Sequence, residues 1–277
     1  MTIRLPTLLV CIALSACSLS SSSVEHEGAT GMARRALDHP GIRWTDARTE
    51  HFHLHVSEAI GLDRRGMERL GREAEGARGE VLAMLGGEDA GTKELFFVES
   101  RGRMREISGQ PNGGSAWPAD RTVLLTITPR TRAPLRHELT HLYSLTLWGD
   151  RYEGREWLRE GVAMIGMGRC HGWEMHELAA ALQDGDRLVP MDRLIGRFRE
   201  ADDVVTYVQS GSLSRYIVDR HGMPALRALY QGGAEAAPRA IGMDVAALDA
   251  AWRREIARPE HRRRAVSFDA IRADGCE

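Results

Sequence analysis

The chain has no excess charge of either sign, no internal repeat and no long apolar run beyond its first residues. Its net charge is −2 and its pI 6.6, so no global field draws nucleic acid. The run His261-Arg262-Arg263-Arg264 is basic but reads as a solvated tail. A membrane-spanning helix needs about 20 apolar residues, and the segment Leu8 to Leu14 is too short to supply one. Cysteine is scarce, with four in 277 residues. What remains is long enough for one domain with a real core, or one domain with a small helical extension.

The most informative stretch is His137-Glu138-Leu139-Thr140-His141. Histidines at i and i+4 stand on one face of a helix, one turn apart. Neutral imidazoles at that spacing can hold one Zn²⁺ at about 2.0–2.1 Å. Glu138 sits one position round from His137, beside such a metal rather than on it, where a carboxylate can take a proton from water. The flanks suit a buried helix. Arg130-Thr131-Arg132-Ala133-Pro134 reads as its start, with Thr131 as cap and Pro134 in the first turn. Leu135, Leu139, Leu142 and Leu145 offer an apolar face, and Gly149-Asp150 ends the run. The rival reading is a helix whose histidines merely pack or bond to backbone. Against it, a second signature, Trp157-Leu158-Arg159-Glu160-Gly161, places Glu160 after 18 intervening residues from His141. Glu160 would supply a third ligand from a second helix. Three protein ligands plus an open position is the arrangement of a catalytic zinc site rather than a structural one.

These motifs resemble those of the gluzincin zinc metallopeptidases, the peptidase-MA-like proteins and the catalytic domain of the large zinc aminopeptidases. They do not suit the metzincins, because Ser144 and Leu147 stand where those need Gly and a third His. The stretch from Tyr207 to Ile217 is similar to the gluzincin segment that carries a transition-state tyrosine, with a second tyrosine, Tyr216, nine residues on. The resemblance covers roughly Trp44 to Ala257, with a Glu160-to-Tyr207 interval shorter than in the large aminopeptidases. It implies zinc held by His137, His141 and Glu160, Glu138 as general base, and Tyr207 as donor to the developing oxyanion, with Tyr216 supporting or packing. It also implies that the strand before the zinc helix, Thr122 to Ile127, forms the edge of the cleft and pairs with an extended substrate backbone.

The N-terminus reads as targeting sequence: Arg4, the short apolar core, then Leu14-Ser15-Ala16-Cys17, which resembles a bacterial lipobox. That resemblance implies cleavage before Cys17, lipidation of its thiol and, with Ser18 following, an outer-membrane lipoprotein facing the periplasm. An ordinary secretory signal is the alternative. Ser18 to Ser23 reads as flexible tether. The division expected is therefore signal 1–16, lipidated Cys17 and tether 17–43, catalytic domain 44–258 and tail 259–277. Once Cys11 leaves with the signal and Cys17 carries lipid, Cys170 and Cys276 remain. In an oxidising compartment they either form a disulfide pinning the tail to the end of the Glu160 helix, or stay as a buried thiol and a free one.

Glu50 to Val56 alternates as a strand with Phe52, Leu54 and Val56 on one face. His51, His53 and His55 on the other face read as its polar side, with metal binding as the alternative. Leu62 to Leu85 reads as a helix with Met67, Leu70, Ala77, Val81 and Leu85 inward, closed by Gly86-Gly87. Glu94 to Val98 and Thr122 to Ile127 read as further strands, with Gly113-Gly114 as a turn between them. The rest is mainly helical, with Trp252 as core. The fold class expected is α+β, a small N-terminal sheet followed by a helical C-terminal half, zincin-like by resemblance. His171 and His176 near Cys170 suggest another metal site or, more simply, packing and helix termination.

Three functions compete: a zinc endopeptidase acting on peptides or proteins of the cell envelope, an aminopeptidase, and a non-proteolytic assembly or binding factor that keeps the zinc fold. Gluzincin aminopeptidases anchor the substrate amine with a glutamate in a G-x-M-E-N motif. The corresponding Gly113-Gly114-Ser115-Ala116-Trp117 has no acid. The intact Glu138 disfavours the binding factor, since holding zinc alone does not need that carboxylate.

Overall fold

A computed structural model describes residues 18–20, 31–128, 133–149, 155–261 and 266–276. The lipobox-like Leu14 to Cys17, Thr131 and Arg262 to Arg264 lie outside them. The chain runs β1 (Ser18–Ser20), α1 (Gly31–Leu37), β2 (Trp44–Arg48), β3 (Phe52–Ser57), α2 (Arg64–Leu85), β4 (Lys93–Val98), α3 (Arg101–Ser108), β5 (Gly114–Trp117) and β6 (Thr122–Thr126). Helices follow: α4 (Leu135–Trp148), α5 (Glu156–Met167), α6 (Met175–Asp184), α7 (Met191–Gly196), α8 (Asp203–His221), α9 (Met223–Gly232), α10 (Ala237–Ile241), α11 (Val245–Ile256) and α12 (Phe268–Asp274). The class is mixed α+β, with the sheet in the N-terminal half and the helices after it. Among the described residues no helix is long and apolar enough to cross a membrane.

The body of the sheet is five strands between Trp44 and Thr126, with the three-residue β1 added beside β2, in the order β1-β2-β3-β4-β6-β5. Strands β3, β4 and β6 run parallel, and β5 returns antiparallel on β6. Parallel neighbours need crossovers, which α2 and α3 provide. Alternation on β3 puts Phe52, Leu54 and Val56 on the face that α2 covers with Met67, Leu70, Ala77 and Val81. The other face buries Phe96, Val98 and Leu124 under Ala33 and Ala36 of α1 and Met104 and Ile107 of α3. With both faces covered, β6 is buried at every position, and its centre, Val123-Leu124-Leu125, is apolar without alternation. Asp63 caps α2 by accepting from the Gly66 amide at 2.8 Å, and Gly86 ends it in the left-handed region at φ 70°.

Glycine sets the spacing of the central helices. A Cβ on Gly166 of α5 would sit 2.0 Å from Thr140 Oγ1 of α4. One on Gly161 would sit 2.1 Å from Ser214 Oγ and 2.7 Å from the Ser210 carbonyl of α8. Without side chains at these two points α5 lies directly against both neighbours.

Several expectations change. Thr122 to Ile127 does not form an edge: β6 is paired on both sides, and the edge strand on that side is β5. Gly114 is accordingly the first residue of β5 rather than part of a turn. The reason is a local hairpin: the 3₁₀ turn Pro118–Asp120 folds β5 back onto β6. Pro134 is the cap of α4, one position before its first turn. From Gly31 onward the stretch expected as tether packs into the domain through α1. The expected tail returns too. Phe268 is buried, Arg272 pairs with Asp202, and Cys276 forms a disulfide with Cys170 across a Cα separation of 4.3 Å. His171 does not join His176. Its ring Nε2 donates to the Gly275 carbonyl at 2.6 Å, clamping the chain beside that disulfide.

His176 is buried where Trp252 Nε1 donates to Ser212 Oγ at 2.9 Å and Ser212 in turn reaches His176 Nδ1 at 2.8 Å. Burial, reinforced by neighbouring His261, pulls the His176 imidazole down to about 4. The folded state therefore resists a proton that the unfolded chain, at about 6.5, accepts. Stability is expected to be full above pH 6.5 and to fall as the pH drops toward 4, by up to about 3 kcal/mol from this group. Urea unfolding of His176→Asn across that window should show a shallower acid slope than wild type. An identical slope would remove His176 as the source.

Candidate metal centre

Helix α4 presents His137 and His141 one turn apart toward α5, and the Gly166–Thr140 contact brings α5 close enough for Glu160 to meet them. His141 Nε2 lies 3.1 Å from His137 Nε2 and 3.2 Å from Glu160 Oε2, and His137 Nε2 lies 3.3 Å from that same oxygen. All three are almost withdrawn from solvent. Tetrahedral coordination at about 2.0–2.1 Å sets neighbouring ligand atoms roughly 3.3–3.4 Å apart, so the triangle has the size that one such ion requires. Two imidazole nitrogens and a carboxylate oxygen converging on one point are a donor set for a divalent metal, and the His137–His141–Glu160 group can hold one. Burial opposes the charge on Glu160, yet the charge of His141 and hydrogen bonds from both imidazoles hold its carboxyl well below the usual range. His141 Nδ1 is buried with no hydrogen-bond partner.

Glu138 lies against β5. A Cβ on Gly114 would sit 2.5 Å from Glu138 Cγ and 2.7 Å from its Oε1. Gly114 thus lets the edge strand lie against this carboxylate, and any side chain there would displace it. Burial pushes the Glu138 carboxyl up, against the pull of His137 and His141.

Tyr207, on the first turns of α8, stacks nearly parallel to the His137 ring, 13° between planes and 6.1 Å between centroids. Burial, with the Glu160 charge behind it, pushes its phenol up, so it stays protonated at neutral pH. Tyr216 lies two turns further along the helix, beside Arg220 and Glu255, and takes no part in this group. The sequence reading missed Arg199. From the 3₁₀ turn Phe198–Glu200 its guanidinium donates to Glu160 Oε1 at 3.3 Å and to the Tyr207 hydroxyl at 3.4 Å. A lone Arg in a short turn carries no periodic or motif signal. The Gly113-Gly114 pair did carry one, because glycine in a strand marks a close backbone approach.

The chain brings together His137, Glu138, His141, Glu160 and Tyr207, and pairs Cys170 with Cys276; Cys17 lies outside the described residues. No protein-family model matches the chain, and no curated protein matches it.

The purified protein is expected to bind a divalent metal at this triangle. His141→Ala removes one of three ligands and should lose that ion in elemental analysis of chelator-washed protein. Undiminished metal content in the variant would contradict the assignment.

Proposed function

We propose that the chain is a zinc-dependent metallopeptidase of the gluzincin kind, an endopeptidase acting on peptides or proteins of the bacterial cell envelope. The observation that carries this reading is the His137–His141–Glu160 triangle with a fourth carboxylate, Glu138, buried next to it and outside it. A structural metal site has no use for that extra group. Bound there, zinc would polarise a scissile carbonyl and make water a better acid.

The chain's own residues supply the rest. Glu138 accepts a proton from the attacking water and passes it to the leaving amine. Its burial favours the first transfer, because a carboxylate whose pKa is raised is a stronger base toward water. Tyr207 accepts a hydrogen bond from Arg199 and keeps its own O–H to donate to the developing oxyanion. The strand β5, at the sheet edge against Glu138, offers backbone groups to an extended peptide. Such pairing reads main chain rather than side chain and accepts many sequences. The Gly113 to Trp117 stretch carries no acid to anchor a free amine, which favours endopeptidase over aminopeptidase action. On the same reading the zincin fold and a lipid anchor on Cys17, holding the domain to the outer membrane, belong to the proposal.

Glu138→Gln keeps size and hydrogen bonding but cannot act as base. It is expected to retain metal and fold and to lose hydrolysis of a peptide library followed by mass spectrometry. Equal cleavage by wild type and variant would show that Glu138 is not the base, and no cleavage by a metal-loaded wild type would favour the non-proteolytic binding factor.

Tyr207→Phe should lower kcat and kcat/KM together with little change in KM. Loss of one oxyanion donor typically costs ~10²–10³ in kcat, about 2.7–4 kcal/mol. Tyr216→Phe is the control and should be far milder. If Tyr216→Phe proves the crippling change, the oxyanion role passes to it.

A further inference from the structure

On the face of the sheet opposite α4, a second set of donors converges. Strand alternation puts His53 and His55 on the same side of β3, and the register sets His53 beside Glu94 of β4 and His55 beside Asp46 of β2. Both imidazoles aim at one oxygen. His55 Nε2 lies 2.7 Å, and His53 Nδ1 3.5 Å, from Glu94 Oε2. On its other side His55 Nδ1 meets Asp46 Oδ1 at 2.7 Å. His55 is buried, stacked on Phe96 at 4.5 Å with Trp44 at its edge, so its ring is fixed in place. His53 and Glu94 are partly exposed, which leaves a way in from solvent.

We propose that His53, His55 and Glu94 form a second divalent-metal site of the zinc class, with Asp46 orienting His55. Two imidazoles and a carboxylate, the histidines at i and i+2 on one strand and the acid on the next, are a zinc donor set. Asp46 supplies the companion feature of such sites: a carboxylate that takes the N–H of a ligating histidine, fixes its tautomer and turns the other nitrogen's lone pair inward. That lone pair faces the Glu94 carboxylate at 2.7 Å, where a proton on His55 or a metal ion can join the two. A dication there would balance both Asp46 and Glu94. Bound here, the ion would tie β3 to β4, with β2 held through Asp46.

The full-length protein is stripped with chelator, loaded with Zn²⁺, desalted and assayed for zinc per chain. The expected result is two equivalents in wild type, one in His141→Ala and one in His53→Gln. Asp46→Asn should weaken only the second ion, by about 10–100-fold in competition with a chromophoric chelator. One equivalent in wild type that His141→Ala abolishes would overturn this site and leave the α4–α5 centre standing. One equivalent that survives His141→Ala but is lost in His53→Gln would do the reverse. Two equivalents undiminished by His53→Gln would also overturn it. Wild-type stoichiometry is read without any variant, so a variant that fails to fold does not shelter the proposal.

Discussion

A carboxylate buried between two imidazoles is the constraint on which this molecule is organised. Glu160 is 6% exposed, and taking its charge out of water is costly unless partners surround it. The partners are on another helix, so the spacing of α4 and α5 has to be right to within a few tenths of an ångström. Gly166 allows that spacing and Gly161 the close approach of α8, and even a methyl group at either would force the helices apart. The other fastenings act on the same helix or its surroundings. Arg199 holds the second oxygen of Glu160, Arg136 Nη2 donates to the Met167 carbonyl at the end of α5, and the Cys170–Cys276 disulfide fixes the loop that follows.

The centre also bridges two halves of the fold. Helix α4 packs against the sheet and α2, whereas α5 and α8 belong to the helical half. A metal held by His137, His141 and Glu160 would couple the halves, so binding free energy there becomes folding free energy. Edge strand β5 approaches from the sheet side and Tyr207 from the helical side. The junction is therefore where an extended strand, a buried carboxylate and a tyrosine hydroxyl come together.

Much of this was legible in the sequence because it is local. The i, i+4 histidines, the apolar face of α4, the Phe52–Leu54–Val56 alternation and the glycine end of α2 each depend on residues within one element. The interval to Glu160 and the Tyr207 segment came through motif resemblance, and the structure sets both side chains beside the histidines. What was not legible is pairing across distance. Nothing in Gly114-Ser115-Ala116-Trp117 favours a strand strongly, so Gly113-Gly114 reads as a turn in the sequence, and the resemblance alone puts Thr122 to Ile127 at the edge that β5 occupies. His53 and His55 looked like the polar side of a strand until the register set Asp46 and Glu94 beside them. The Cys170–Cys276 distance, like the position of Arg199, depends on how α12 and the turn before α8 fold back.

The central claim is that the triangle on α4 and α5 holds a catalytic rather than a structural metal. Anomalous diffraction at the zinc edge from crystals of zinc-loaded protein tests it most directly. The account predicts a peak about 2.0–2.1 Å from His137 Nε2, His141 Nε2 and Glu160 Oε2, with a non-protein ligand in the fourth position on the Glu138 side. No peak at the triangle, or a fourth protein ligand closing the coordination, would contradict it.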